Sequence, residues 1–308
     1  MAMMEMTLNF TLEIVLNLLN HFASHKLTSF LGYFYQSTRT VVPNIKILHK
    51  SANFLVVNKP HDLVINSDDP KRDSLYKCLA HNYPQLASKK YKFGFRVLHR
   101  LDYATSGLMV IPLTDPAMSS ASKAFQKRQT QKFYIAILRG HVSENHIKIH
   151  FPIGDTSDPQ WQSIKMVTAS DPLCTHPRES ETHLVVVSRG ILGGYPATEV
   201  LVKLVTGRRH QIRVHCHQIG HTLAGDYTYS NRHDQFTSRM FLHAHRIIIP
   251  NRVEPLDITS PYNLFELDEL DEETVLNRYQ PVEVIYNIND KSTFDLFTCP
   301  LVKWFLIF

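Results

Sequence analysis

The chain has 308 residues, 44% of them hydrophobic, which is enough for a continuous core in one large domain or two small ones. Lys and Arg number 33 against 28 Asp and Glu, so the net charge of +5 permits a polyanionic partner without demanding one. Cys78, Cys174, Cys216 and Cys299 are scattered with no C-x-x-C pair, which argues against a disulfide framework or a cysteine-rich zinc module, and no apolar run approaches the roughly 18 to 20 residues that span a bilayer.

Residues 1–43 are apolar and Asn-rich, and helical spacing from Leu8 to Leu19 predicts an amphipathic helix ahead of the break at Pro43. The segment reads as an appendage. It lacks the layout of a secretory signal, and Glu5 and Glu13 oppose a mitochondrial leader, which leaves cytoplasm or nucleus as the expected location and the mitochondrion as a minority alternative. From Ile45, ILHKSANFLVVNKP predicts a hairpin closing at Pro60. DSLYKCLAHNYPQLA predicts a helix capped by Asp73 or Ser74 and broken near Pro84. FGFRVLHRLD reads as a strand running into a loop, GLMVIPLT as a strand, and Asp115 to Arg128 as a helix with Pro116 in its first turn.

Further strands follow at KFYIAILRGHV, HLVVVSRG and ATEVLVKLVTG, then a helix at RRHQIRVHCHQIGH ending near Gly220, then a strand at RMFLHAHRIIIP. Strands outnumber helices and several are consecutive, so the expected class is α+β, with a large mixed, mainly antiparallel sheet and flanking helices. After about residue 262 the acidic FELDELDEE leads to a tail, 263–308, with no assignable structure.

Two clusters carry chemistry. HRLDYATSG, from His99 to Gly107, packs charges, a carboxylate and a turn between strands, although an isolated Arg-x-Asp triplet reads equally as a surface turn capped by Asp102. TGRRHQIRVH, from Thr206 to His215, places Arg209 and Arg213 four apart at a helix start, suited to an anion, or else forms a solvated basic face. Tyr134, at the centre of KFYIAILRG, is ordinarily core packing.

Together and in this order, HRLDYATSGL, KFYIAILRG and TGRRHQIRVH resemble the signatures of the RluA-type RNA pseudouridine synthases, and VVNKP and FLHA also fit. The resemblance covers about residues 45 to 250 and is closest to the eukaryotic RNA pseudouridylate synthase domain-containing proteins. It implies a pseudouridine synthase catalytic domain at 44–262 with a central cleft. It also implies cleavage of the C1′–N1 bond of a uridine in RNA, rotation of the base and rejoining through C5, without metal or cofactor. Asp102 is then the essential carboxylate, attacking sugar or base or removing a ribose proton, and Arg213 its bidentate guanidinium partner. Tyr134 stacks on the uracil and helps remove the C5 proton, and Arg100 fills the space of the extruded nucleotide. His99, Thr105, Arg208, Arg209, His210, Gln211, His215 and Lys59 complete the expected RNA-binding set.

A monomer acting on a stem-loop uridine is expected, since a weakly paired base leaves its stack at lower cost. Two departures stand out: His61 and Asp62 occupy a turn where the family has a small residue and Gly, and Ser230 follows Tyr229 where Gly is common. The rival reading is a catalytically inactive RNA-binding protein of the same fold. A zinc site at His215, Cys216, His217 and His221, as in a metal-dependent hydrolase, is disfavoured because His215 and His217 are two apart on a helix.

Overall fold

In the computed structural model, residues 44–234, 237–261, 279–299 and 303–307 are described; the expected N-terminal helix and the acidic stretch 265–273 lie outside them. The first hairpin is present as β1 (Lys46–Lys50) and β2 (Phe54–Lys59), paired antiparallel. Helix α1 (Leu75–Asn82) is capped by Ser74, whose Oγ accepts from Lys77 N at 3.3 Å, and a 3-10 turn over Pro84–Leu86 replaces further helix. β3 (Ser106–Pro112) leads to α2 (Asp115–Gln126), capped by Thr114, and then β4 (Gln131–Arg139).

β5 (His146–Ile149) precedes a separate sheet of β6 (Ile153–Thr156), β7 (Met166–Thr168) and β8 (Cys174–Arg178), ordered β7-β6-β8. These strands are too short to leave a clear alternation in the sequence. The long hairpin β9 (Thr182–Leu192) and β10 (Tyr195–Leu204) then leads to α3 (Gln211–Gln218) and β11 (Leu242–Ile249). The chain adds β12 (Leu256–Thr259), β13 (Gln280–Val284), the short α4 (Ser292–Asp295) and β14 (Phe305–Ile307).

The main sheet runs β1-β2-β3-β11-β4-β10-β9-β5-β14, with β12 on β11 and β13 on β9. Its pairings are antiparallel except β3 with β11 and β5 with β14, which is the mixed, mainly antiparallel sheet expected. At the β3–β11 contact Gly107 has φ +111, and a Cβ there would lie 2.3 Å from Ala244 O, so only glycine permits that approach.

Strand alternation divides the core into two faces. Ala136 and Leu138 of β4 pack with Ile212 and Cys216 of α3, whereas Phe133, Ile135 and Ile137 pack with Tyr279, Ile288 and Phe297. The described part of the tail therefore covers the sheet face opposite α3 and lengthens the sheet.

Two local expectations are corrected. Residues 93–101 form no strand: Val110 N donates instead to His99 Nε2 at 2.9 Å, and Arg96 Nη1 donates to Leu113 O, so side chains take bonds a neighbouring strand would have taken. Helix α3 begins at Gln211, not at the arginines. His210 holds the left-handed region at φ +55, and Gln211 Oε1 accepts from Arg208 N at 2.9 Å, which fixes residues 206–210 as a loop.

Candidate active site

Asp102 lies in the loop entering β3, and its own carbonyl accepts from Thr105 N at 3.2 Å. The loop is anchored by Lys59, fully buried at the end of β2, whose Nζ donates to Pro60 O and Leu63 O at 2.8 Å and to Tyr103 O at 3.0 Å. Three carbonyls thus accept the three N–H bonds of an ammonium. Burial opposes that charge and lowers the Lys59 pKa to about 7, against the pull of Asp62 and Asp102. His99 braces the same loop, accepting from Val110 N and stacking on Phe125 at 5.5 Å.

Across the cleft, Arg213 projects from α3. Its nearest approach to Asp102 is Nη1 to Oδ2 at 3.8 Å. The bidentate partner is a residue the sequence reading did not select: Asp226, whose Oδ2 accepts from Arg213 Nε at 2.6 Å and whose Oδ1 accepts from Nη2 at 2.7 Å. Asp226 is fully buried and also accepts from Thr228 N and Tyr229 N at 3.1 Å. Tyr229 completes the clamp, its ring 5.0 Å from the Arg213 guanidinium and its hydroxyl donating to Met166 O at 3.1 Å. The guanidinium is therefore fixed by one buried acid and presents its remaining nitrogen to the other. The available signal was the GD of GDYTYS, a carboxylate after a glycine just past a basic helix.

Asp102 keeps 19% of its side chain exposed, on the cleft side. Burial raises its pKa, Arg213 and Arg100 pull it down, and Asp226 pushes it up, with a net shift above the usual carboxylate range. His210 Nε2 also stands 3.8 Å from Asp102 Oδ2, but burial and then the Arg213 and Arg209 charges drop its pKa to about 3, so the imidazole is neutral at pH 7. Tyr134, central in β4, shares the cleft wall; burial and the Asp102 charge raise its pKa, so it rests as a neutral phenol.

These groups line a cleft of about 410 Å³, which adjoins a second depression of about 740 Å³; Arg100, Asp102, Arg209, His210 and Arg213 face both. Thr105, buried, Arg208 and Gln211 also border the cleft. Gln211 is fully used by the protein: Oε1 accepts from Thr206 Oγ1 and Arg208 N, and Nε2 donates to Glu181 O and Thr182 Oγ1. Arg209 donates to Ser163 O and Lys165 O, joining the loop to the small sheet's connection. Arg208 Nε donates to Glu179 O.

His215 and Lys59 do not border the cleft. His215 is fully buried behind it, bonded to Ser180 Oγ, Thr182 Oγ1 and Phe151 O, with burial lowering its pKa to about 4. Among the described residues no group of His, Cys, Asp and Glu has the geometry of a metal site. At the altered turn, Asp62 adopts φ +54, the conformation a glycine would supply there, and His61 Nδ1 lies 2.8 Å from its carboxylate.

A family model described as RNA pseudouridylate synthase matches residues 53–218, which include Asp102, Tyr134 and Arg213. The chain belongs to that family. Mouse RNA pseudouridylate synthase domain-containing protein 1 is 39% identical over 221 residues, covering 71% of this chain and 72% of the mouse protein. The dual-specificity RNA pseudouridine synthase RluA of Yersinia pestis is 31% identical over 207 residues, covering 66% and 91%. The solved structure of human RNA Pseudouridylate Synthase Domain Containing 1 superposes with a TM-score of 0.71 at 33% identity, covering 85% of this chain and 98% of that one. The chain is thus an RNA pseudouridine synthase, an isomerase of the RluA type, and its sheet is the pseudouridine synthase fold.

Proposed function

We propose that the chain isomerises particular uridines in structured RNA through Asp102. The observation that carries this is the pairing in one cleft of a desolvated Asp102 with an Arg213 pinned by Asp226. A carboxylate attacking sugar or base, or taking a ribose proton, has to be ionised and stripped of water at the reacting atom. Burial strips the water. Arg213 keeps the charged form accessible, and because it is held by Asp226 it stays beside Asp102 without closing on it.

A stacking role on the uracil suits Tyr134, whose side chain lines the cleft together with Asp102. As a neutral phenol it passes on the C5 proton only if its own proton leaves in the same step. Arg100, exposed at the junction of the two depressions, is suited to stack where the target base has left. Extrusion costs a few kcal/mol, least for a base in a loop, which favours a stem-loop uridine.

The test is nucleoside analysis of cellular RNA after incubation with the full chain. Wild type is expected to convert uridine to pseudouridine, with Asp102→Ala producing none above background. Equal product from both proteins would remove Asp102 from the reaction.

A further inference from the structure

The cleft continues along β4 past the reacting end. Thr130, Lys132 and Tyr134 alternate onto one face and all line the cleft, while Phe133 and Ile135 turn into the opposite core. At about 3.4 Å per residue, Lys132 lies roughly 7 Å along the strand from Tyr134, and Thr130, the residue just before β4, lies beyond it. Chemistry on one uracil employs neither.

Lys132 Nζ donates to Thr206 O at 3.3 Å, and no ion pair is found for it among the described residues. Arg128 and Arg208 border the same cleft, and Asp102 is the one carboxylate among the described residues that line it. Burial draws the Lys132 pKa down to about 8, the response of a cation held without a counter-charge. Gly207 leaves the approach clear: a Cβ there would sit 3.1 Å from Lys132 Nζ. Thr130 supplies an independent signal. It is 7% exposed, and its hydroxyl is buried with no hydrogen-bond partner among the described residues. An unpaired buried hydroxyl destabilises the free protein unless something arriving in the cleft takes its bond.

We propose that Lys132, with Thr130 and Arg128, forms a second subsite that takes the phosphate linking the target uridine to its neighbour. The inference rests on the uridine-isomerase reading and deepens it. Cations without acids and a free hydroxyl donor suit a phosphodiester, which accepts from both, and a basic groove tracking the backbone is the usual means of holding a single strand. The subsite then sets the register in which one particular uracil reaches Asp102.

The experiment measures affinity for a hairpin RNA with a single loop uridine, using full-length Asp102→Asn so that the RNA stays unmodified. Copies of the hairpin each carry one uncharged methylphosphonate in the loop. One linkage beside the uridine is expected to be sensitive, with about a tenfold loss. Lys132→Met should lose a similar factor, and combining the two should cost no more than either alone. Lys132→Met should also lower the slope of log affinity against log salt by about 0.7, the value for one single-strand phosphate contact, and Lys132→Arg should restore it. Thr130→Val should weaken binding severalfold while the free protein melts at the same or a higher temperature. Losses that multiply at every linkage, or an unchanged salt slope, overturn the subsite. If the wild type binds the hairpin and modifies cellular RNA while the losses multiply, the subsite alone falls; if it does neither, both readings fall.

Discussion

Asp102 is the residue whose environment works against its own ionisation. Its pKa is raised mainly by burial, so the acid limb of turnover should lie above the usual carboxylate range. Between the unfolded and the folded pKa, the folded state holds more protons, so stability falls as pH rises through that window and the full penalty is present only above the folded pKa. Asp102→Asn should therefore gain in melting temperature over wild type as pH rises through that window, with the gap closing in acid, while activity falls by about 10²–10⁴-fold; thermal melts at several pH values check the sign. Asp226 adds to the upward shift, so Asp226→Asn should move the acid limb to lower pH and also reduce turnover, because the Arg213 fork loses its charged partner. A pH–rate profile that keeps its acid limb in Asp226→Asn contradicts this linkage. On the role proposed for Tyr134, Tyr134→Phe keeps the ring and removes only the hydroxyl, so kcat should fall with KM little changed.

At the scale of elements, the motif-bearing stretches were legible because their roles are local. β4 and the β9–β10 hairpin are long and β-rich, and α1 and α2 carry their own caps, Ser74 and Thr114. Asp102, Tyr134 and Arg213 do come together, but the resemblance assigned the bidentate contact to the wrong carboxylate. Asp226 lies outside the motifs that carry the resemblance, and only the fold brings its loop against α3. The helix start differs from the expectation for a similar reason: a left-handed His210 and the Gln211 side chain are tertiary choices that periodicity does not reveal. Residues 93–101 look β-rich, yet their bonds to β3 run through the His99 and Arg96 side chains. Gly107 holds β3 against β11 next to Asp102, and Gly107→Ala adds a Cβ 2.3 Å from Ala244 O at a positive φ. Soluble yield and melting temperature of that variant should both drop sharply.

For the whole molecule, the described tail belongs to the catalytic body. Phe297 is buried against Phe133 of β4, at 5.6 Å between ring centroids, on the face opposite the cleft. Phe297→Ala should cost about 3–5 kcal/mol, measured by denaturant unfolding, with the catalytic residues untouched. The contact is not legible in the sequence because Phe297 follows the four-residue α4, between β13 and β14, which are short strands that depend on β9 and β5 for their pairing. Such packing explains how a cleft that desolvates an acid stays open: both faces of β4 are committed, one to the aromatic tail and one to α3, and the site opens where α3 stops covering the strand. The chemistry proposed for Asp102 takes place in that opening, and tritium release from RNA labelled at uracil C5 reads it directly. Wild type should release tritium in step with product, and Asp102→Asn, folded and still binding RNA, should release it about 10²–10⁴-fold more slowly; release at the wild-type rate by that variant would remove Asp102 from the reaction.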